Sequence, residues 1–250
     1  MNAVLQPGLT LEPLGDSAVL AVLGDRIHPD LNTAALALAD ELDRQRLKGV
    51  VDIVPAYASI AIHYLPLRME VPAEQSRRKV ESWIRQIWSH LHWEAHRQPQ
   101  PGAEDIWNQS ILPVPVCYGG DFGPDIDHVA AHCGMSVDEV IARHSAPIYR
   151  VAMLGFQPGF PYLLGLDPRL ETPRLASPRT RVAAGAVGIG GAQTGIYPLP
   201  SPGGWQLIGW SPLRLFDPQR HPATLLRAGS RLRFIPTAAE DIDTASQASR

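Results

Sequence analysis

Residues 182–213 read VAAGAVGIGGAQTGIYPLPSPGGWQLIGWSPL, from Val182 to Leu213 without one Asp, Glu, Lys, Arg or His. So long an uncharged run could span a bilayer as a helix, but glycine and proline interrupt it throughout, so a spanning helix is not expected. The apolar pieces left between them, such as Ala186–Ile189 and Gln206–Ile208, are short. That is the pattern of brief strands joined by tight turns. Upstream the pattern continues: residues 155–204 hold ten glycines and eight prolines, too many for long helices. A β-rich body is therefore expected over residues 110–237.

Moving towards the N-terminus, the periodicity changes. A strand is expected at Ile111–Tyr118. A helix follows Pro124 with Ile126, Val129, Ala130 and Cys133 inward, and another starts at Ser136, where Ser136 and Glu139 make a capping-box pattern. Residues 97–109, with Pro99, Pro101 and Gly102, read as a linker. Before it, residues 1–96 alternate strand and helix. Ala18–Leu23 is a short apolar strand. Leu31, Ala34, Ala35, Leu38 and Leu42 recur at helical spacing, and Gly49 closes that helix. Val50–Tyr64 returns to strand character, and Val80, Ile84, Ile87 and Leu91 mark a second helix. This predicts a small α+β domain of ferredoxin-like type. The overall class is α+β, with residues 238–250, small and polar, as a disordered tail.

The 250 residues are 45% hydrophobic, enough for a sizeable core, and the formal net charge is -3. That charge speaks against a general nucleic-acid binder. Two cysteines, Cys117 and Cys133, form neither a CxxC motif nor a disulfide framework, and residues 1–23 lack a basic n-region. A cytoplasmic protein with no membrane association is expected. No Gly-Lys-Ser/Thr phosphate loop, GxGxxG or GxSxG elbow is present, so no standard means of holding ATP or forming an acyl-serine is visible.

Several groups of residues are candidates for chemistry. His90, His92 and His96 lie close together on the second helix, with His92 and His96 sharing a face at i,i+4 spacing, a zinc pattern or a solvated helix end. No carboxylate or cysteine completes a ligand set, which favours the latter. Cys117 is a thiol with His128, His132 or His144 as possible bases, or a buried strand cysteine. Tyr118 and Asp121 flank the turn that follows it. The segment Gly155-Phe156-Gln157-Pro158-Gly159-Phe160-Pro161-Tyr162-Leu163 combines glycines, rigid prolines and three aromatics. It is an apolar ligand wall or a turn packed by its own rings. Arg174, Arg179 and Arg181 sit on proline-bounded loops, suited to a carboxylate or to loop carbonyls. Gln193 and Gln206 offer amides that both donate and accept. Tyr197 and Trp205 lie beside them, with Trp205 expected in the core.

These residues also carry a family resemblance. Cys117-Tyr118-Gly119-Gly120, the Gly155–Leu163 segment, Pro173-Arg174, Pro178-Arg179-Thr180-Arg181-Val182, Gln193-Thr194-Gly195-Ile196-Tyr197-Pro198 and Ser201-Pro202-Gly203-Gly204-Trp205 resemble the signature of one family. It comprises allophanate hydrolase subunit 1, the B-type subunit of 5-oxoprolinase, and an inhibitor of a sporulation histidine kinase. Leu14-Gly15-Asp16-Ser17-Ala18 and Val54-Pro55-Ala56-Tyr57 match it too, so the resemblance runs from Leu14 to about Pro236. It implies a C-terminal cyclophilin-like β-barrel. It implies pairing with a homologous subunit 2, the C-type partner in 5-oxoprolinase, and with a separate lactam-hydrolase partner of A type. In that complex ATP drives opening of 5-oxo-L-proline to L-glutamate, and the single chain is inactive. Alternative roles within the family are a non-catalytic inhibitor of a sensor histidine kinase and a component of an enzyme for allophanate or urea-type amides. From the chemistry of these residues, substrate contacts are expected at Tyr118, Asp121, Phe156, Pro158, Gly159, Phe160, Arg174, Arg179, Gln193, Tyr197, Trp205 and Gln206, and no metal is expected. Three departures stand out. Trp210 replaces the arginine of a Gly-Arg-Thr-Pro pattern, Ala183 replaces the proline of Val-Pro-Ala-Gly, and Ser230 replaces the aspartate of Gly-Asp.

Overall fold

The computed structural model describes residues 6–97 and 111–242. The chain divides between residues 104 and 105 into two units, each with its own core. The expected linker falls largely outside the described residues.

In the first unit, β1 (Thr10–Pro13), β2 (Ala18–Val22), β3 (Val50–Pro55) and β4 (Ser59–Tyr64) form an antiparallel sheet in the order β1-β2-β4-β3. Helices α1 (Pro29–Arg44) and α2 (Ser76–His90) pack against it. The order is that of a ferredoxin-like sheet whose last strand has been moved to the front of the chain, as β1. The single stretch expected over 50–64 is a hairpin, because Ala56 N–H bonds Ser59 O and turns the chain. Helix α1 starts with proline in its first turn, and the His28 ring accepts from Asp30 N–H. Leu31, Ala34, Leu38 and Leu42 are fully buried along one side of the helix.

The second unit is built on a closed barrel in the order β10-β7-β6-β13-β5-β12-β9. Its strands are β5 (Ile111–Tyr118), β6 (Tyr149–Leu154), β7 (Pro161–Leu164), β9 (Ala186–Gly190), β10 (Gln193–Ile196), β12 (Gln206–Trp210) and β13 (Arg231–Pro236). A two-stranded ribbon, β8 (Arg179–Val182) with β11 (Ser201–Gly203), lies apart from it in the hydrogen-bonding pattern. Helix α3 (Ile126–Cys133) and helix α4 (Val137–Ser145) add Ile126, Val129, Ala130 and Val140 to the barrel core. Ser136 caps α4 by accepting from Glu139 N–H at 3.2 Å. The tail expectation needs correction. Ala239–Asp241 form a short turn and Ile242 is 4% exposed, so its apolar side chain anchors the chain at least to residue 242.

Alternation along the barrel strands separates two apolar clusters. Val187, Ile189, Ile196, Leu163 and Ile208 point into the main core, whereas Ala186, Tyr197 and Leu207 belong to a second cluster with Phe160, Val182 and Trp205. Successive side chains of a strand face opposite ways, so the second cluster coats the outside of the barrel wall. Several of the residues predicted to bind substrate fall there.

Candidate functional site

Trp205 sits at the centre of the outer cluster, and the wall beneath it is floored with glycine. A Cβ at Gly190 would lie 2.5 Å from the indole, and one at Gly195 would lie 3.2 Å from both Trp205 and Phe160. Gly188 and Gly190 alternate with Val187 and Ile189, so one pattern serves the core inside and the ring outside. Phe160, Tyr162 and Tyr197 surround the indole edge-on, with centroids 5.5, 6.0 and 6.4 Å away. Phe160, Tyr197 and Trp205 are all 5% exposed or less. They are packing residues first, and only their rims face outward.

Phe156 differs. It is 62% exposed, and its φ is 66°. Gln157 N–H donates to Gly155 O at 2.7 Å across it, so Phe156 is the centre of a three-residue turn of the rare left-handed kind. For a bulky side chain this costs on the order of 1–3 kcal/mol. Bonds on both sides hold it: Gly155 N–H to Phe160 O, Phe160 N–H to Gln157 O, and the Gln157 amide to Leu199 O. The ring leans edge-on against Phe160 and Tyr197. Pro158 is exposed beside it, and Gly159 has φ 79° with the backbone close to Phe216.

The two predicted arginines part company. Arg174 is exposed and lies over the Trp205 ring, 5.8 Å from its centroid. Arg179 is a tie. It donates to Asp125 Oδ1 at 2.7 Å, while Asp125 Oδ2 accepts from Leu207 N–H. That pair fastens the ribbon to the start of α3 and to β12. Arg181, on the same ribbon, is exposed. Tyr197 lies near both Arg174 and Arg179. Burial pushes its hydroxyl up, opposed by a bond to the Trp205 backbone and by the two cations.

The other predicted residues lie elsewhere in the barrel. Tyr118 points its hydroxyl to His144 Nδ1 at 2.8 Å, and His144 Nε2 meets Thr194 Oγ1 at 2.9 Å. Thr194 donates to Gly188 O, so it accepts from the ring, and the imidazole is the neutral Nε2–H form. Burial holds His144 down at about 3, and it stacks on Phe234 at 4.5 Å. Tyr118 thus serves an interior chain of bonds. Gln206 is 2% exposed and donates to Pro173 O at 2.8 Å, with its buried Oε1 unpartnered. Gln193 is half-buried at the start of β10, and Asp121 is exposed in its turn. Sequence spacing offers His144 only as a possible base for Cys117. Its burial at the end of α4 is a tertiary fact with no local signal.

Two other candidates lose their chemistry. Cys117 is 7% exposed and burial raises its thiol, with Glu240 adding to the effect, which is the reverse of an activated nucleophile. Helix α2 ends at His90, so His92 is not on it. His90 Nδ1 is bound to Gln86 O and Ser89 Oγ. A cleft of about 560 Å3 lies there, between Glu41, Arg44 and Gln45 at the C-terminal end of α1 and Gln86, His90 and His92. Among the described residues no group of three or more metal-ligating side chains occurs. Among them, too, no helix is long and apolar enough to cross a membrane.

The first departure, Trp210, packs on the turn that follows the second, Ala183. Trp210 Nε1 donates to Ala184 O at 2.7 Å, and its ring lies 5.8 Å from that of Phe122. A Cβ at Gly185 would lie 2.5 Å from Trp210 Nε1, so this indole is fitted to the 183–185 turn. At the third departure, the Ser230 hydroxyl accepts from Arg227 N–H at 3.0 Å.

Residues 9–226 match the family model described as "Carboxyltransferase domain, subdomain C and D". The chain belongs to this family. The B-type subunit of 5-oxoprolinase from Bacillus subtilis (strain 168) is 41% identical over 240 residues, covering 92% of this chain and 94% of its own. A crystal structure of TTHA0988 is 39% identical with a TM-score of 0.72, over 89% of this chain. Only 40% of that longer chain is matched. The Kluyveromyces lactis urea amidolyase shares the fold at 20% identity, with a TM-score of 0.76 over 98% of this chain and 16% of its own. The carboxyltransferase subdomain C and D family thus includes the kind of protein that the sequence motifs resemble.

Proposed function

We propose that the chain is the B-type subunit of a cytoplasmic 5-oxoprolinase, an ATP-dependent complex that opens 5-oxo-L-proline to L-glutamate. The observation that carries this is the 41% identity to a 5-oxoprolinase component of the same type over nearly the whole of both chains. The outer barrel face suits such a substrate. A lactam that bears a carboxylate needs an apolar wall, a cation and amide-compatible polar groups. Phe156 offers the wall and Arg174 the cation, beside the rims of Tyr197 and Trp205. The sequence has no recognisable nucleotide motif, so ATP use is assigned to the complex. The partners are a homologous C-type chain and an A-type lactam hydrolase.

The test is reconstitution. The three proteins together, given ATP and 5-oxoproline, are expected to release glutamate, and this chain alone is expected to release none. Turnover by the single chain removes the reading of it as one part of a complex. A correctly assembled trio that leaves 5-oxoproline intact removes the substrate.

A further inference from the structure

We infer that Arg174 alone anchors the substrate's carboxylate, and that Arg179, its near neighbour in sequence, is a strut that never touches substrate. The inference deepens the proposed function and rests on it for the identity of the substrate.

The two guanidinium groups differ in what they already hold. Arg179 spends one nitrogen on Asp125 Oδ1 at 2.7 Å and another on Trp205 O. Its carboxylate partner is itself engaged by Leu207 N–H at 2.6 Å. Bringing a second carboxylate to Arg179 means either breaking that pair or placing two carboxylates side by side, and like charges at contact repel. Arg174 is exposed and rests over an indole. Stacking uses the face of a guanidinium and leaves its N–H edge free to grip a carboxylate with two parallel bonds. Elsewhere in the barrel unit, Arg143, Arg169 and Arg214 all face acids of their own.

The setting around Arg174 is built rather than incidental. The indole beneath it is 5% exposed and held by the glycine floor, so the guanidinium rests on a fixed surface. Tyr197 lies next to that indole, and Phe156 borders Tyr197 on a strained turn that keeps its ring in solvent. Cation and exposed ring therefore border the same rigid pair. A small ring compound with one carboxylate meets both: its apolar edge on Phe156, its charge on Arg174. Lysine would be a poor substitute at 174, because it keeps the charge but lacks the planar fork and stacks poorly.

The experiment uses the reconstituted complex and two substrates, 5-oxoproline and pyrrolidin-2-one, the same lactam without the carboxylate. Arg174→Met, which keeps a stem over Trp205, should raise KM for 5-oxoproline about tenfold or more. Its melting temperature should match the wild type, and it should lose the preference for 5-oxoproline over pyrrolidin-2-one. Arg174→Lys should recover part of that preference. Arg179→Met should lower the melting temperature and leave KM near wild type. An unchanged KM and preference in Arg174→Met overturns the inference while leaving the proposed function standing. Raised KM in a thermally intact Arg179→Met overturns it too. If the wild-type complex does not turn over 5-oxoproline, the proposed function falls first. Calorimetric binding of 5-oxoproline against pyrrolidin-2-one to the complex then decides Arg174 separately, and equal binding by wild type and Arg174→Met sinks it.

Discussion

Phe156 shows how much a single residue can store. Its left-handed turn is held by bonds that glycine would keep, since they use backbone groups or the Gln157 amide. Phe156→Gly should therefore keep or raise stability, by up to about 1–2 kcal/mol, after the loss of ring contacts is subtracted. The same variant should raise KM of the complex, because the exposed ring is gone. A fall in melting temperature would show that the ring serves packing instead. Tyr118 makes the opposite case. Its hydroxyl donates to His144 Nδ1 inside the barrel. Tyr118→Phe should cost about 1–3 kcal/mol by urea denaturation, the penalty for an orphaned buried acceptor, and should leave KM unchanged.

At the scale of the element, β9 carries the clearest constraint. Its residues alternate between large and minimal because one face fills the barrel and the other carries Trp205. Gly190→Ala places a methyl 2.5 Å from the indole. The ring cannot retreat, being wedged among Phe160, Tyr162 and Tyr197. A loss of about 1–3 kcal/mol is expected, measured by thermal or urea unfolding. Helix α4 brings a second element-level effect through His144. Its folded-state value of about 3 lies below the ordinary 6.5, so the unfolded chain binds the extra proton. The stability tied to this neutral ring is complete above pH 6.5 and declines as pH falls towards 3. Between pH 6.5 and 5 the barrel unit should lose ~2 kcal/mol, at about 1.4 kcal/mol per pH unit. Urea titrations at the two pH values check this, and His144→Gln should flatten that dependence.

For the whole molecule, the division between residues 104 and 105 separates two complete apolar cores. A fragment of residues 105–250 should unfold cooperatively on its own and retain the acid sensitivity due to His144. Residues 1–104 should lack it. Circular dichroism of the two fragments across pH distinguishes these, and a 105–250 fragment without a cooperative transition would show that its core is incomplete alone.

Much of this architecture was legible in order along the chain, because helical and strand periodicities report directly which side chains face a core. Leu31 to Leu42 and Val80 to Ile87 gave their helices away by spacing, and Ser136 marked the start of α4. The Gly-and-Pro-rich run of 182–213 announced short strands, since neither long helices nor a membrane span tolerate it. Local pattern also singled out the aromatic loop, the arginines and Trp205. Pattern alone did not reveal what these residues face. Whether Arg174 or Arg179 has a spare edge depends on Asp125, which lies 54 positions from Arg179 and meets it only through barrel closure. Tyr118 and Gln206 look like ligand contacts in sequence and are interior bonds, because their partners, His144 and the Pro173 carbonyl, come from other elements. The sequence by itself determined the elements and the chemistry available, through composition and period. Only the tertiary structure decided which polar groups are already satisfied, because hydrogen bonding between distant segments is set by closure of the barrel and leaves no mark on spacing.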